Sequence, residues 1–148
     1  MCKMLIMSQN KNPSFMCSAC LIGIACRYDG LSKPNQDIID LSKIKKVIPV
    51  CPEQLGGLST PRKKNEIRHD KVFREDGKDV TSAFLKGAKK VLAIAKENNV
   101  KQAYFKSKSP ACGCGKIYDG TFTKTLIEGD GFSTRLLKAN GIEVLPID

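Results

Sequence analysis

Apolar residues in the second half of the chain recur at helical spacing. Starting from Phe84, they fall at i+4, i+7, i+8 and i+11, which places them on one face of an α-helix. The sequence predicts a long amphipathic helix that begins at Thr81 and ends before Asn98 and Asn99. This helix is the most regular element in the pattern.

Shorter apolar runs on either side of this helix predict strands and two further helices. The runs SFMCS, VIPV, QAYFK and IEVLPI predict strands, the first of which ends at Cys20. PNQDIIDLSKIKK predicts a short helix, and FSTRLLKANG predicts a last helix closed by Gly141. Lys71–Val80, with Asp76 and Gly77 in its middle, is typical of a surface hairpin.

Strands that alternate with helices predict an α/β fold. We expect a single domain built as a three-layer, Rossmann-like sandwich, with a mainly parallel sheet and a small surface hairpin. This domain is expected to span residues 13–148, after a flexible N-terminal extension over residues 1–12. Ligands of open parallel sheets bind at the carboxyl ends of strands. The residues that follow each strand are therefore the first candidates for a functional site.

The composition is that of an ordinary globular protein, since 41% of the 148 residues are hydrophobic and 27% are charged. The formal net charge of +10 comes mainly from lysines scattered along the chain, which favours anionic partners such as nucleotides or RNA. The early apolar run over residues 4–7 is too short for a signal peptide or a membrane span. We therefore expect a cytoplasmic protein without membrane contact.

Seven cysteines in a chain with no export signal suggest reduced thiols rather than disulfides. Cys20, Cys51 and Cys112 each follow a predicted strand, so a parallel sheet would bring all three to one edge. Thiolates from separate loops suit an iron-sulfur cluster, and three of them would leave one iron open to soft sulfur. A structural zinc site made from Cys17-x-x-Cys20 and Cys112-x-Cys114 is the alternative.

Chemistry at such a centre needs an acid or a base near the metal. Glu53 follows Cys51 by two residues and Ser109 precedes Cys112 by three, so these two side chains are the candidates. The single histidine, His69, lies in a charged run, and we expect it at the surface. The remaining thiols are expected to act as small apolar side chains or to be exposed: Cys2, Cys17 and Cys26.

Four ordered motifs resemble a known family. SACLIGIACRYDG, VCPEQLGGLSTPR, DGKDVTSAFLKGA and SPACGCGKIYDGTF are similar to the thiouracil desulfidase family, formerly a domain of unknown function. The resemblance implies an oxygen-sensitive four-iron, four-sulfur cluster with three cysteine ligands, Cys20, Cys51 and Cys112. It also implies that Glu53 is the catalytic acid or base and that Ser109 is the catalytic serine.

The implied activity is a hydrolytic removal of sulfur from a thiolated pyrimidine, which yields the oxo-pyrimidine and sulfide. The substrate would be a 4-thiouracil-like base, a nucleotide or a tRNA thiouridine, and Ser107, Lys106 and Arg62 are expected to bind it. The sequence departs from the family where SPACG replaces the common SPSCG. It also departs at Cys114, a candidate fourth ligand that would close the open iron.

Two other functions are consistent with the same residues. A non-enzymatic zinc or iron-sulfur module could bind RNA or nucleotides through its lysines. An enzyme with the same cluster could instead relay sulfide to an acceptor. Metal analysis and sulfide release separate these alternatives from the desulfidase.

Overall fold

The computed structural model describes residues 14–148, and the N-terminal extension predicted over residues 1–12 lies outside them. No helix in the described part of the chain is long and apolar enough to cross a membrane. The elements, in chain order, are β1 (Phe15–Ser18), a 3-10 turn (Ala19–Ile22), α1 (Gln36–Ser42), β2 (Val47–Val50), α2 (Pro52–Leu55), β3 (Asn65–Arg68), β4 (Lys71–Arg74), α3 (Thr81–Glu97), β5 (Gln102–Lys106), β6 (Lys116–Tyr118), β7 (Leu126–Glu128), α4 (Phe132–Ala139) and β8 (Glu143–Ile147).

A four-stranded parallel sheet lies at the centre, with the strand order β2-β1-β5-β8. The chain passes from β1 to β2 on one side and then crosses to β5 on the other, so the winding reverses between β1 and β5. In doubly wound α/β folds, the strand ends at such a reversal form the binding crevice. The backbone N–H of Lys106 in β5 donates to Ser18 Oγ in β1 at 2.8 Å, which ties these two strand ends together.

Apolar side chains on the two faces of the sheet pack into separate cores. Successive residues of a strand point to opposite faces. Met16 accordingly joins the core beneath α3 and α4, whereas Phe15 and Cys17 join the core on the side of α1. The predicted apolar stripe of α3 is confirmed by its buried residues, which include Phe84, Ala88, Val91 and Ala95. The fold is therefore the predicted three-layer α/β sandwich.

A close crossing between α2 and α3 fixes the segment that follows β2. A Cβ on Gly56 would collide with a backbone oxygen of α3, and a Cβ on Gly87 would collide with a backbone oxygen of α2. Only glycine lets the two backbones approach so closely. Because α2 begins directly after Cys51, this crossing also holds Glu53 in place.

Three local features differ from the sequence prediction. The first strand ends at Ser18, and Cys20 lies in the following 3-10 turn. The pairing of β4 with β3 was not predicted; it runs through a turn at His69, whose φ of 60° suits a tight turn. The hairpin predicted over Lys71–Val80 is also formed, because the Arg74 N–H donates to the Lys78 oxygen at 2.8 Å and the Val80 N–H donates to the Val72 oxygen at 2.9 Å. A second antiparallel hairpin, formed by β6 and β7, was not predicted.

Candidate functional site

A cavity of about 480 Å³ opens at the carboxyl ends of β1, β2 and β5. This is the edge of the sheet at which the sequence predicted a ligand site. Of the site residues expected from the sequence, the cavity brings together Cys20, Cys51, Glu53, Arg62, Lys106, Ser107, Ser109 and Cys112.

Three separate segments deliver the predicted thiols to this cavity. Cys20 lies in the 3-10 turn after β1, and Cys51 is the N-cap residue between β2 and α2. Cys112 lies in the turn after β5, which is closed by a hydrogen bond from the Gly113 N–H to the Ser109 backbone oxygen at 2.9 Å. Cys20 and Cys112 are buried and Cys51 is half-buried. Residues that are far apart in sequence thus present sulfur to one space.

A fourth thiol, that of Cys26, also lines the cavity, although the sequence analysis gave it no role. Cys26 is buried, and its thiol interacts with those of Cys20 and Cys51. Its backbone oxygen accepts hydrogen bonds from Cys51 Sγ at 3.7 Å and from Arg62 Nη2 at 3.0 Å. An irregular loop returns Cys26 to this position, and the only sequence signal for it was the nearness of Cys26 to Cys20 in the same motif.

Cys114 lies outside the cavity. Its half-buried thiol donates to the backbone oxygen of Val144 in β8 at 3.5 Å and packs at the edge of the main core. The turn that aims Cys112 into the cavity therefore directs Cys114 towards the sheet. In this arrangement Cys114 does not line the cavity that the three predicted ligands share.

The environment of Cys26, Cys51 and Cys112 favours the protonated forms of their thiols. Burial raises the pKa of the Cys112 thiol far above its ordinary value. The pKa of Cys51 is raised chiefly by its hydrogen bond with the Cys26 thiol, and burial adds to this effect. The pKa of Cys26 rises to about 11, chiefly because of its hydrogen bond with Cys20. A metal that binds these residues as thiolates must therefore displace protons.

The donor set fits an iron-sulfur cluster better than a single ion. Zinc needs all its thiolates about 2.3 Å from one point, and no three Cys, His, Asp or Glu side chains within residues 14–148 converge in that way. The zinc alternative is further weakened because Cys17 belongs to the core and Cys114 lies outside the cavity. A cluster binds each thiolate at a different iron, so thiols spread over a cavity wall suit it.

Glu53 and Arg62 form an ion pair in the cavity wall, with Arg62 Nε 3.1 Å from Glu53 Oε1. Their side chains are only 15% and 7% exposed, so solvent screens the pair weakly. The other Arg62 nitrogens donate to the backbone oxygens of Ser59 and Cys26 and to Thr60 Oγ1, each at 3.0 Å. Every nitrogen of Arg62 is thus engaged, which favours a role in orienting Glu53 over the substrate contact expected from the sequence.

The other polar residues predicted for the site differ in whether their side chains already have hydrogen-bond or ion-pair partners. The hydroxyl of Ser109 accepts backbone N–H groups of its own turn. Ser107 Oγ donates to Asp148 Oδ1 at 2.7 Å, so this hydroxyl is already engaged. The Lys106 ammonium group lines the cavity, and its partial burial lowers its pKa. Lys106 is therefore a cavity cation that has no described carboxylate partner within salt-bridge distance.

The outer wall of the cavity consists of β3 and the loop between β6 and β7. Glu66 in β3 accepts hydrogen bonds from the backbone N–H groups of Gly120 at 3.0 Å and Phe122 at 3.1 Å, which fastens the loop to the strand. Basic side chains outnumber acidic ones around the cavity, and this favours an anionic ligand. The basic residues are Arg27, Arg62, Lys64, Lys106, Lys108 and Lys124, and the acidic ones are Glu53, Glu66 and Glu75.

Comparisons with known proteins give a matching family and a solved structure of the same fold. A family model described as 2-thiouracil desulfurase matches residues 15–148. The uncharacterized protein YbbK of Bacillus subtilis (strain 168) is 42% identical, over 86% of this chain and 91% of the relative. The solved structure of the [4Fe-4S]-dependent thiouracil desulfidase TudS superposes with a TM-score of 0.85 at 37% identity, covering 91% of each chain.

Proposed function

Since the chain belongs to the 2-thiouracil desulfurase family, we propose that it removes sulfur from a thiolated pyrimidine with the help of a four-iron, four-sulfur cluster bound in the cavity. One observation carries this proposal: Cys20, Cys51 and Cys112 reach one cavity from three strand ends, and Glu53 and Ser109 line the same cavity. The dependence of the structural relative TudS on such a cluster supports the cofactor.

In this proposal Cys20, Cys51 and Cys112 hold the cluster. When bound, the cluster would supply an iron without a cysteine ligand, a soft Lewis acid suited to the sulfur of a thiocarbonyl group. The position of Cys114 supports an open iron, because its thiol faces Val144 rather than the cavity. The cavity of about 480 Å³ has room for a pyrimidine beside such a group.

The side chains around the thiols would control the water and the base. Glu53, oriented by Arg62, would take a proton from the water that attacks C4 and return it as sulfur leaves. Ser109 would donate a hydrogen bond to the substrate. The balanced reaction is thiopyrimidine plus water, giving the oxo-pyrimidine and hydrogen sulfide.

The excess of basic side chains around the cavity extends the proposal to larger substrates. Lys106 would bind an anionic substituent, with Lys108 and Lys124 further along the wall. A nucleotide or a tRNA thiouridine would bind more tightly because its phosphate is attracted to these basic side chains, whereas the free base carries no phosphate. Ser107 would contribute by holding the Asp148 carboxylate beside the lysines rather than by direct contact.

Anaerobic reconstitution with iron and sulfide tests the proposal. We expect about four irons per chain, and loss of the thiocarbonyl absorbance of 4-thiouracil with release of equimolar sulfide. The same assay with 4-thiouridine monophosphate and thiolated tRNA ranks the substrate forms. A four-iron protein that leaves all three intact would contradict the desulfidase and favour the non-enzymatic module. Sulfide that appears only after an acceptor is added would favour the relay.

A further inference from the structure

Asn65, the first residue of β3, carries a polar group that no described residue satisfies. Only 9% of the residue is exposed, and its Oδ1 is buried without a hydrogen-bond partner within residues 14–148. The residue nevertheless lines the cavity that holds the thiols. Buried polar groups in folded proteins are almost always paired, so an unpaired one at a cavity wall points to a ligand.

The strand geometry explains why this carboxamide faces inward. Alternate residues of a strand point to the same face. Asn65 therefore shares a face with Ile67, which belongs to the main core. The next residue, Glu66, also lines the cavity, but its carboxylate is already engaged by the loop at Gly120 and Phe122. Asn65 is left as the polar group of β3 that is free to bind something in the cavity.

We propose that Asn65 binds the edge of the pyrimidine ring; this inference rests on the desulfidase function proposed above. A base that directs its C4 sulfur towards the thiols presents N3–H and the C2 carbonyl oxygen side by side on its edge. A carboxamide offers the complementary pair, an oxygen that accepts from N3–H and an NH₂ group that donates to O2. The carboxamide oxygen has no partner within residues 14–148, so the group can turn to match this edge.

This pairing makes Asn65 a residue that determines substrate specificity. Thiolated uracils carry the N3–H that the carboxamide oxygen needs. A base methylated at N3 loses the donor and adds bulk against the strand. The ring nitrogen N1 lies away from the paired edge, so the free base and its ribosides can bind in the same way.

The isosteric substitution Asn65→Leu tests the inference. We expect kcat/KM for 4-thiouracil to fall about 10- to 100-fold, the usual effect of losing a bidentate pair to a base edge. Iron content should stay at the wild-type level. The preference for 4-thiouracil over 3-methyl-4-thiouracil should shrink by a similar factor. An unchanged preference in the variant would overturn the assignment.

A second measurement separates ligand binding from a structural role. Leu removes an unsatisfied buried amide, so Asn65→Leu should raise the melting temperature. Ser133→Ala is the matched control, because Ser133 Oγ is the other buried polar atom without a partner in the described residues and lies outside the cavity. Both variants should be more stable than the wild type, but only Asn65→Leu should lose discrimination. A drop in stability for Asn65→Leu would show a structural role and contradict the proposal.

Calorimetry with the product distinguishes failure of this inference from failure of the proposed function. Wild-type protein should bind uracil more tightly than 3-methyluracil, and Asn65→Leu should not. That comparison requires no turnover, so it reports on Asn65 even if thiolated bases are not desulfurated. Equal binding of the two ligands by the wild type would overturn the inference and leave the desulfidase proposal standing.

Discussion

The hydroxyl oxygen of Ser109 lies 2.6 Å from the backbone nitrogen of Cys112 and accepts its N–H. It also accepts the N–H of Ala111 at 3.2 Å, so both of its lone pairs are occupied. The hydroxyl proton is left to donate, either to the Cys112 sulfur or to a molecule in the cavity. One side chain therefore shapes the turn around a candidate ligand and offers a donor to the substrate.

Replacing Ser109 by alanine should affect both folding and turnover. Two backbone N–H groups lose their acceptor, so we expect the free energy of unfolding to fall by about 1 kcal/mol and turnover to fall about 10- to 100-fold. Denaturant unfolding and steady-state kinetics measure the two effects. Ser109→Thr keeps the hydroxyl and serves as the control, which should retain most of the turnover. Equal losses in both variants would contradict a role for the hydroxyl.

Glu53→Gln should slow the reaction without disturbing the cavity. Glutamine keeps the size of the side chain and an oxygen that accepts from Arg62, but it cannot take up a proton from water. We expect kcat to fall by about 10²- to 10⁴-fold with iron content unchanged. Glu97→Gln, at the exposed end of α3, is the matched control. Wild-type turnover in Glu53→Gln would remove Glu53 from the mechanism.

Serine substitutions should separate the three proposed ligands from the other thiols. Cys20→Ser, Cys51→Ser and Cys112→Ser should each abolish cluster binding, measured as iron per chain after anaerobic reconstitution. Cys114→Ser is the control and should retain wild-type iron content, because its thiol faces Val144.

Cys26→Ser is the most informative thiol variant, because Cys26 contacts two of the proposed ligands. If Cys20, Cys51 and Cys112 bind the cluster, Cys26→Ser should keep its iron content and its visible absorption spectrum. If Cys26→Ser loses the cluster while Cys20→Ser retains it, Cys26 rather than Cys20 is the first ligand.

The Cys17 thiol should make the cluster-free protein sensitive to alkaline pH. Burial raises the pKa of Cys17 to about 12 from an ordinary value of 9.0. The folded chain therefore keeps a proton that the unfolded chain loses, so this contribution to stability is complete below pH 9 and is lost as the pH rises towards 12.

Cys17→Ala measures this contribution. We expect the variant to lose stability less steeply above pH 9 than the wild type, by up to about 1.4 kcal/mol per pH unit. Urea unfolding of the reduced, cluster-free proteins at a series of pH values gives the two slopes. Thiols that titrate in both proteins cancel in the comparison. Identical slopes would mean that the Cys17 pKa is not raised by burial.

The position of the site could be predicted from sequence because it depends on regular structure. Cys51 and Cys112 follow apolar runs that form strands of one parallel sheet, and such strands end at the same edge. Cys20 was placed at the right edge even though its strand ends two residues earlier, since the 3-10 turn follows the strand directly and lines the same cavity.

The residues that sequence analysis missed depend on irregular or polar segments. Cys26 reaches the cavity through a loop without periodicity, and loop paths are set by long-range contacts such as the bond from Arg62 to its backbone oxygen. Asn65 lies in the segment NEIR, whose polar residues give no sequence signal for a strand. The segment nevertheless pairs with β4 as β3, and Asn65 is buried there. The direction of the Cys114 side chain could not be predicted either, because the single residue between Cys112 and Cys114 does not specify the type of turn.

The order of strands in the sheet also bears on how the protein is made. A ribosome produces Cys20 early and Cys112 only after α3 and β5, and β1 lacks one of its two neighbours until β5 has emerged. The cavity therefore does not exist on the nascent chain until most of the polypeptide is synthesised. A cofactor held by all three thiols must therefore be delivered to a cavity that has already formed, rather than to the early part of a growing chain.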